Sequence, residues 1–574
     1  VTNRTAAHST GKPISCKAFI VTFNLSVATW LPIRRADGTR ETIAPAAITD
    51  RIDTNPVVAL DWPRADFRLA GLEFLIGLLA TAFPPRDDAA WLDHWRDPPP
   101  PERLAAAFAP LREAFDLDSP GPRFMQDLED LPGEPDTPET LLIEAPGEAA
   151  LRKNTTLLVK RGRVTVLSRA AAAIALYTLQ TYAPAGGRGN LTSLRGGGPL
   201  TTLIVPRSSR TDGVTPLWHV VWANVPCGTP PKITELPKVF PWLAPTRTSE
   251  NSRKTTPADA HPLQAFWGMP RRIRLDFTEA TAGTRCDLSG ETDEIVVTGW
   301  RQRPNGVRYE AWTHPLSPYY RNKSSGGWLP VHPQPGGIGY RHWVGLLFEL
   351  PRANTRPAET VSKWLRDRRR DAAETAGQSD LDARVLAGGY DMDNMKARAF
   401  VESEMPVIVA RDPDAQAAEA AFAHALVTAA DEAARVLRGA LRTALFDRET
   451  AFDATPLSAT SESFWSRTHD PFFALIGEAK AMLDRDPDAD LTPLRIRWRD
   501  TLRHTALDLF DIAAPLDPMA ASSDPYRIVE ARRHLTGAFA GYGASGKAIF
   551  DALGLPAPEQ RPKGRKSARS TETA

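Results

Sequence analysis

Hydrophobic and polar positions follow two different rhythms along this chain, and the change falls just after Pro406. Residues 1 to about 20 are polar and without pattern, which reads as an extension. The first apolar run predicts a strand over Ile20–Trp30, ending in Trp30-Leu31-Pro32-Ile33. From Arg68 to Phe83, Leu69, Leu72, Leu75, Ile76 and Leu79 recur at helical spacing until Pro84-Pro85 stops them, predicting a core helix. A second helix is predicted over Ser168–Gln180. It runs into the glycine-rich stretch Ala183 to Gly189, and a further cluster, Gly196-Gly197-Gly198, precedes a strand at Leu200–Val205. Residues 212–350 alternate short apolar runs with Trp, Pro and Gly, the texture of irregular β structure carrying loops, with few helices.

Beyond Pro406 the period becomes helical. Gln416–Phe446 is Ala-rich, and Phe422, Leu426, Ala429, Ala433, Val436 and Ala440 keep a three-four alternation, predicting one long amphipathic helix. Helical stretches follow at Phe464–Leu483, Leu494–Ile512 and Pro525–Leu553, separated by Asp- and Pro-rich turns such as Asp484–Asp490. Four such helices bury their apolar stripes most simply as an antiparallel bundle. The predicted class is therefore α+β. It comprises an N-terminal extension over 1–20, a large irregular mixed α/β domain over 21–405, a C-terminal four-helix bundle over 412–556 and a disordered basic tail over 557–574.

Composition narrows the function classes. A chain of 574 residues that is 42% hydrophobic buries one large core and a smaller one, so two or more domains are expected. The 70 Lys and Arg against 69 Asp and Glu leave +1, so any surface for nucleic acid must be local. Cys16, Cys227 and Cys286 lie too far apart for a CxxC knuckle or a disulfide framework, which fits a reducing cytosol and predicts no structural zinc. No run approaches the ~18 apolar residues of a membrane span, and Val1–Lys17 lacks the apolar centre of a signal peptide. A soluble, cytoplasmic protein is expected, with no membrane partner.

Enzyme signatures are weak. Gly541-Tyr542-Gly543-Ala544-Ser545-Gly546-Lys547-Ala548 nearly spells a phosphate-binding loop, but Ala548 stands where Ser or Thr would hold magnesium, and no strand precedes it. It reads as part of the last helix. His469-Asp470 lacks the further ligands of a metal-dependent phosphohydrolase, so Asp470 reads as a helix cap before Pro471. His314, His332 and His342 lack paired carboxylates or thiolates and read as polar or packing residues. Asp391-Met392-Asp393 reads as solvated or capping carboxylates rather than a cation site. A glycine-rich loop beside arginines suits close backbone approach to a nucleic-acid groove, because glycine has no Cβ. Its plain alternative is a connector. Binding is favoured over catalysis, and no cofactor is expected.

A series of ordered motifs from residue 23 to 390 then resembles the CasA family, the large subunit of the type I-E CRISPR Cascade complex. Phe23-Asn24-Leu25, Trp30-Leu31-Pro32-Ile33-Arg34 and Asp37-Gly38 look like its opening. Pro122-Arg123-Phe124-Met125-Gln126 and Ser193-Leu194-Arg195-Gly196-Gly197-Gly198-Pro199-Leu200-Thr201-Thr202 resemble its next two motifs. Ala265-Phe266-Trp267-Gly268-Met269-Pro270-Arg271, Thr298-Gly299-Trp300, His314-Pro315-Leu316-Ser317-Pro318 and Gly388-Gly389-Tyr390 complete the order.

The resemblance implies a DNA-recognition subunit, not an enzyme. Its partners would be other Cascade subunits, the CRISPR guide RNA, double-stranded target DNA bearing a PAM and a recruited helicase-nuclease. In such complexes protein reads the short PAM and guide pairing reads the rest. Carried over by position, Gly186, Gly187 and Gly189 match the family's glycine loop, with Arg188 where glycine is common. Arg301-Gln302-Arg303 falls at the family's basic finger, with Arg303 the first choice. Beyond Gly388-Gly389-Tyr390, Asp393 and Asn394 fall at the strand-separating wedge, and Lys396 and Arg398 are expected on a helix beside it, holding phosphates. Lys153, Asn154, Lys160, Arg161 and Arg163 fall where the family docks on the guide's 5′ end and a neighbouring subunit. The alternatives are a scaffold that binds RNA and protein without reading DNA, and a metal-dependent nuclease.

Overall fold

The computed structural model describes residues 22–147, 151–153, 161–187, 189–207, 213–350, 354–378, 380–393, 396–446, 455–516 and 524–558. Within them the first strand is β1 (Leu31–Arg35), later than Ile20–Trp30. Asn24 explains the shift: its amide bonds Arg112 O and Asp116, and its carbonyl accepts from the amides of Val27 and Ala28, closing a turn. Leu25 and Trp30 are buried as anchors of that turn rather than as strand residues. β1 lies between β2 (Arg40–Ile43) and β3 (Val57–Leu60), antiparallel to both.

Helix α1 (Ala65–Ala82) is apolar on nearly every side and is buried on nearly every side, as a helix running through a core must be. Phe74 sits at its centre with edge-on contacts to Trp30, Phe115, Phe124, Tyr177 and Trp267 at 5.2–6.0 Å. Strand β4 (Leu167–Ser168) leads into α2 (Arg169–Tyr182), capped by Ser168 Oγ accepting from Ala171 N–H at 3.2 Å. The polar loop that follows returns as β5 (Thr201–Pro206).

Three further sheets shape the N-terminal body. β6 (Arg272–Glu279) pairs with β7 (Ile295–Arg303), which also pairs with β4. β8 (Tyr319–Arg321) lies between β9 (Trp328–Pro330) and, beyond helix α3 (Tyr340–Leu347), β10 (Thr355–Arg356). A long hairpin of β11 (Ala383–Asp393) and β12 (Lys396–Pro406) adds to β5.

Helix α4 (Pro413–Leu445) follows, with Pro413 in its first turn and the Asp412 carboxylate accepting from Asp414 and Ala415 N–H. The rest of the helical region contains α5 (Thr455–Arg467), α6 (His469–Leu483), α7 (Thr492–Ala513), α8 (Pro525–Phe539) and α9 (Gly543–Leu553). Two stretches expected as single helices are therefore each broken. Pro471 removes an N–H and crowds the carbonyl four residues earlier, so α5 and α6 part at Thr468. Asp470 lies in the first turn of α6, not at its cap. The phosphate-loop lookalike is the second break, with Gly541 and Gly543 both at positive φ.

The two regions share packing. The Tyr340 ring of α3 stacks on Phe472 at 4.5 Å, and its hydroxyl bonds Thr468 Oγ1 at 2.8 Å. Trp343 packs edge-on to Phe473 and donates its indole N–H to Pro406 O. No described helix is long and apolar enough to cross a membrane.

Candidate nucleic-acid interface

The glycine loop is a closed turn. Gly186 N–H donates to Asn190 O and Asn190 N–H to Gly187 O, both at 3.1 Å, with Gly187 and Gly189 at φ +81° and +77°. These φ values are open to glycine and strained for other residues. Arg188 lies outside the described residues. The loop is tied to the end of β7: Asn305 N–H donates to Gly189 O at 2.8 Å, and a Cβ on Gly189 would lie 2.3 Å from Pro304 Cβ. The structure thus brings Gly186, Gly187 and Gly189 together with Arg303, which is exposed where β7 ends.

Arg301 is placed differently from the expectation of a DNA-facing finger. Its guanidinium donates to Asp276 Oδ1 at 2.5 Å and to Gly133 O at 2.9 Å, a half-exposed ion pair across β6 and β7 that leaves Arg303 as the exposed cation of that strand.

The second glycine cluster supports the hairpin. A Cβ on Gly198 would meet Tyr390 O at 2.7 Å, and one on Gly389 would meet Pro199 O at 2.5 Å, so the two backbones approach as closely as glycine allows. Arg195, in the same motif, is buried and forks to Glu73 at 2.8 Å, Thr201 at 2.8 Å and Ser317 at 3.2 Å. Tyr182 donates to the same Glu73 carboxylate. This buried, fully engaged pair fastens the cluster to α1. Tyr390 reaches α1 as well, donating to Asp66 Oδ2 at 2.5 Å.

Lys396 and Arg398 lie on β12, not on a helix. Asp393 pairs in register with Lys396, leaving Asn394 and Met395 as the hairpin's connection, outside the described residues. A register shift between Asp391 and Met392 leaves Arg398 as the extra residue on β12. Lys396 is exposed, whereas Arg398 is held by Asp391 through two hydrogen bonds of 2.6 and 3.1 Å, with Asp393 3.9 Å away. Asp391 and Asp393 therefore serve an ion pair across the hairpin.

Of the docking set, Lys153, Arg161 and Arg163 are exposed, and Asn154 and Lys160 lie outside the described residues. Gly162 N–H is fastened to Glu139 Oε2 at 2.8 Å. Arg161 lines a cleft of about 700 Å³ together with Gly186, Asn190, Arg271 and Gln302, so the docking segment and the glycine loop share one opening.

The three histidines are packing residues. His314 lies edge-on to Phe266, His332 donates Nδ1–H to Gly197 O at 2.9 Å, and His342 Nδ1 accepts from Gly339 N–H. Burial keeps all three uncharged at neutral pH, His342 being pushed down to about 4. Among the described residues no group of three or more His, Cys, Asp or Glu is placed to hold a metal ion.

Sequence reasoning missed the β8–β9 hairpin. Val331, just after β9, donates its N–H to Pro318 O and accepts from Leu200 N–H, which places the hairpin beside the glycine cluster. It exposes Tyr320, Arg321, Lys323 and Trp328, and Arg356 lies over the Tyr319 and Trp328 rings at 4.7 and 4.8 Å. The signal was present as Tyr319 to Trp328, a run with two cations, no acid and a Ser-Ser-Gly-Gly turn. Arg271 was also missed as a site residue, although it closes the Ala265–Arg271 motif.

Known proteins place this architecture. CasA of Thermus thermophilus is 18% identical, the match covering 93% of this chain and 99% of that one with a TM-score of 0.63. Cse1 of Acidimicrobium ferrooxidans is 20% identical over 94% and 99%, TM-score 0.59, and Cse1 of Thermobifida fusca 17% over 93% and 98%, TM-score 0.63. A chain of a structure described as a CRISPR RNA-guided surveillance complex is 15% identical over 90% and 99%, TM-score 0.61. The family model described as CRISPR-associated protein Cse1 matches residues 24–509, most of the chain. The chain belongs to that family, the CasA large-subunit family of type I-E Cascade that its motifs resemble.

Proposed function

We propose that this chain reads the PAM in double-stranded DNA within a guide-loaded Cascade complex and helps open the duplex so that guide pairing and R-loop formation begin. One observation carries the reading. Three elements far apart in sequence converge: the glycine loop, the exposed Arg303 tied to it through Asn305 and Gly189, and a hairpin seated on the second glycine cluster. The minor groove is only ~6 Å wide and its chemical code is degenerate, so it favours backbone approach plus one or two side chains over a broad set of base contacts. The hairpin connection containing Asn394 supplies the wedge, since a bulky polar residue placed between base steps offsets unstacking with new contacts. Lys396, Arg321 and Lys323 add phosphate contacts around it. The chain acts by binding, and a separate helicase-nuclease, recruited to the complex, performs cleavage.

The test is duplex binding by the guide-loaded complex assembled with the chain, without it, and with Arg303→Ala plus Asn394→Ala. The expected result is PAM-dependent affinity that requires the chain and falls by about tenfold or more in the double variant, as loss of direct groove contacts predicts. Binding that is indifferent to omission of the chain would overturn the assignment. A scaffold reading has one observation in its favour, the ion pairs of Arg301 with Asp276 and of Arg398 with Asp391, which engage two cations in contacts within the chain. PAM-independent binding that still needs the chain would select it.

A further inference from the structure

The glycine loop is gripped from beneath by one buried side chain. Arg271 precedes β6, and its backbone is locked to the end of α2: its N–H donates to Gln180 Oε1 at 3.0 Å, and Gln180 Nε2 donates to its carbonyl at 2.9 Å. From this fixed root the guanidinium spans the loop. Nε donates to Leu191 O at 2.9 Å and Nη2 to Pro184 O at 2.5 Å, so one planar fork joins the residues on either side of the turn. Neither bond goes to a carboxylate. Burial pulls the guanidinium down to about 10, which still leaves it charged at neutral pH. Gly186 lies against the fork, where a Cβ would sit 2.9 Å from both Nη1 and Nη2 and 2.7 Å from Asn190 Cβ.

We propose that Arg271 is the positioning residue of the DNA-reading loop, its guanidinium fork clamping Pro184 to Leu191 so that Gly186, Gly187 and Gly189 are held in the closed turn and presented to the groove. Only the ligand in this statement rests on the PAM-reading assignment; the clamp itself does not. Lysine cannot replace the arginine. An ammonium keeps the charge but lacks a planar fork that satisfies two carbonyls from one root. An unsatisfied carbonyl at either side of the turn opens the loop to water. The glycine at 186 follows from the same geometry, because any side chain there would displace the fork.

The test separates the clamp from the DNA reading. Hydrogen exchange is followed in the whole chain at the amides of Gly186, Asn190 and Asn305 for Arg271→Lys and Gly186→Ala. Both are expected to accelerate exchange at these amides by about tenfold or more while exchange within α2 is unchanged, since each opens the loop without unfolding its support. In the guide-loaded complex, Arg271→Lys is expected to reduce discrimination between PAM and non-PAM duplexes by about tenfold with the same salt dependence of affinity, whereas loss of a phosphate contact would lower that slope by about one.

Unchanged loop exchange in Arg271→Lys, or a slope lowered by about one charge, would overturn the clamp. If Arg271→Lys does not fold, Gly186→Ala decides by the same exchange readout. If the wild-type complex shows no PAM preference, the exchange result still judges the clamp, and only the PAM assignment falls.

Discussion

Glu419 shows how one residue ties stability to pH. It is fully buried on α4, accepts from Ala410 N–H through Oε2 at 2.6 Å, and leaves Oε1 without a partner. Burial pushes its carboxyl up from 4.5 to about 8, against the opposing pull of the Ala410 N–H and of Lys480 and Arg369. An acid with a raised pKa in the folded state binds its proton more tightly there than in the unfolded chain. Between about 4.5 and 8 the folded state therefore carries the extra proton, and stability falls as pH rises through that window. Glu419→Gln keeps an acceptor for Ala410 without the charge. Urea midpoints at pH 5, 7 and 9 should show the variant gaining on the wild type as pH rises, by a few kcal/mol at the top of the range. Parallel curves would reject the raised pKa.

Among elements, the β11–β12 hairpin depends on glycine for reasons that differ from those acting in a helix. Gly389 lies under Pro199 O, and a methyl there must push backbone against backbone. Gly439, inside α4, has open space where its Cβ would be. Gly389→Ala is expected to lower stability by about 1–3 kcal/mol through overpacking, and under the proposed PAM reading to weaken duplex binding by moving the hairpin off its seat. Gly439→Ala is expected to raise stability by about 0.5–1 kcal/mol, since alanine loses less entropy on entering a helix. Equal effects of the two in urea denaturation would show that close packing does not govern the hairpin. The charges on this element differ in their ties, because Arg398 is exposed but paired with Asp391, whereas Lys396 stands exposed near the end of the hairpin.

For the whole molecule, the expected boundary near 405–415 is crossed by apolar packing from α3. Tyr340 and Trp343 insert against Phe472 and Phe473, while Arg369 bonds both Asp380 and Val409 O, and Lys480 reaches Asp380 at 3.4 Å. A helical region joined by such a shared core unfolds with the body. Calorimetry of the wild type should give one transition. Trp343→Ala, which removes a fully buried indole at a cost of about 3–5 kcal/mol, should separate it into two. Two transitions already in the wild type would mean that the N-terminal body and the helical region unfold independently.

Periodicity along the chain was enough for α1, α2 and α4, whose three-four spacing appears as helices within a few residues of the expected bounds. The glycine loop was legible as a place where backbone must come close, and the ordered motifs were enough for the family. Spacing carries the period of an element but not the identity of its neighbour, and the differences at Arg301, Arg398, Arg195 and Arg271 lie there. Arg301 was read as reaching outward, but β6 lies beside β7 and supplies Asp276, 25 residues away, as its partner. Lys396 and Arg398 are expected on a helix, and pairing with β11 makes their run a strand. Arg195 and Glu73 are 122 residues apart, and Arg271 meets Pro184 and Leu191 across 87 and 80 residues. Such partners are chosen when elements pack and each buried donor must find an acceptor, so only the folded chain decides which arginines hold the loop in place and which remain exposed.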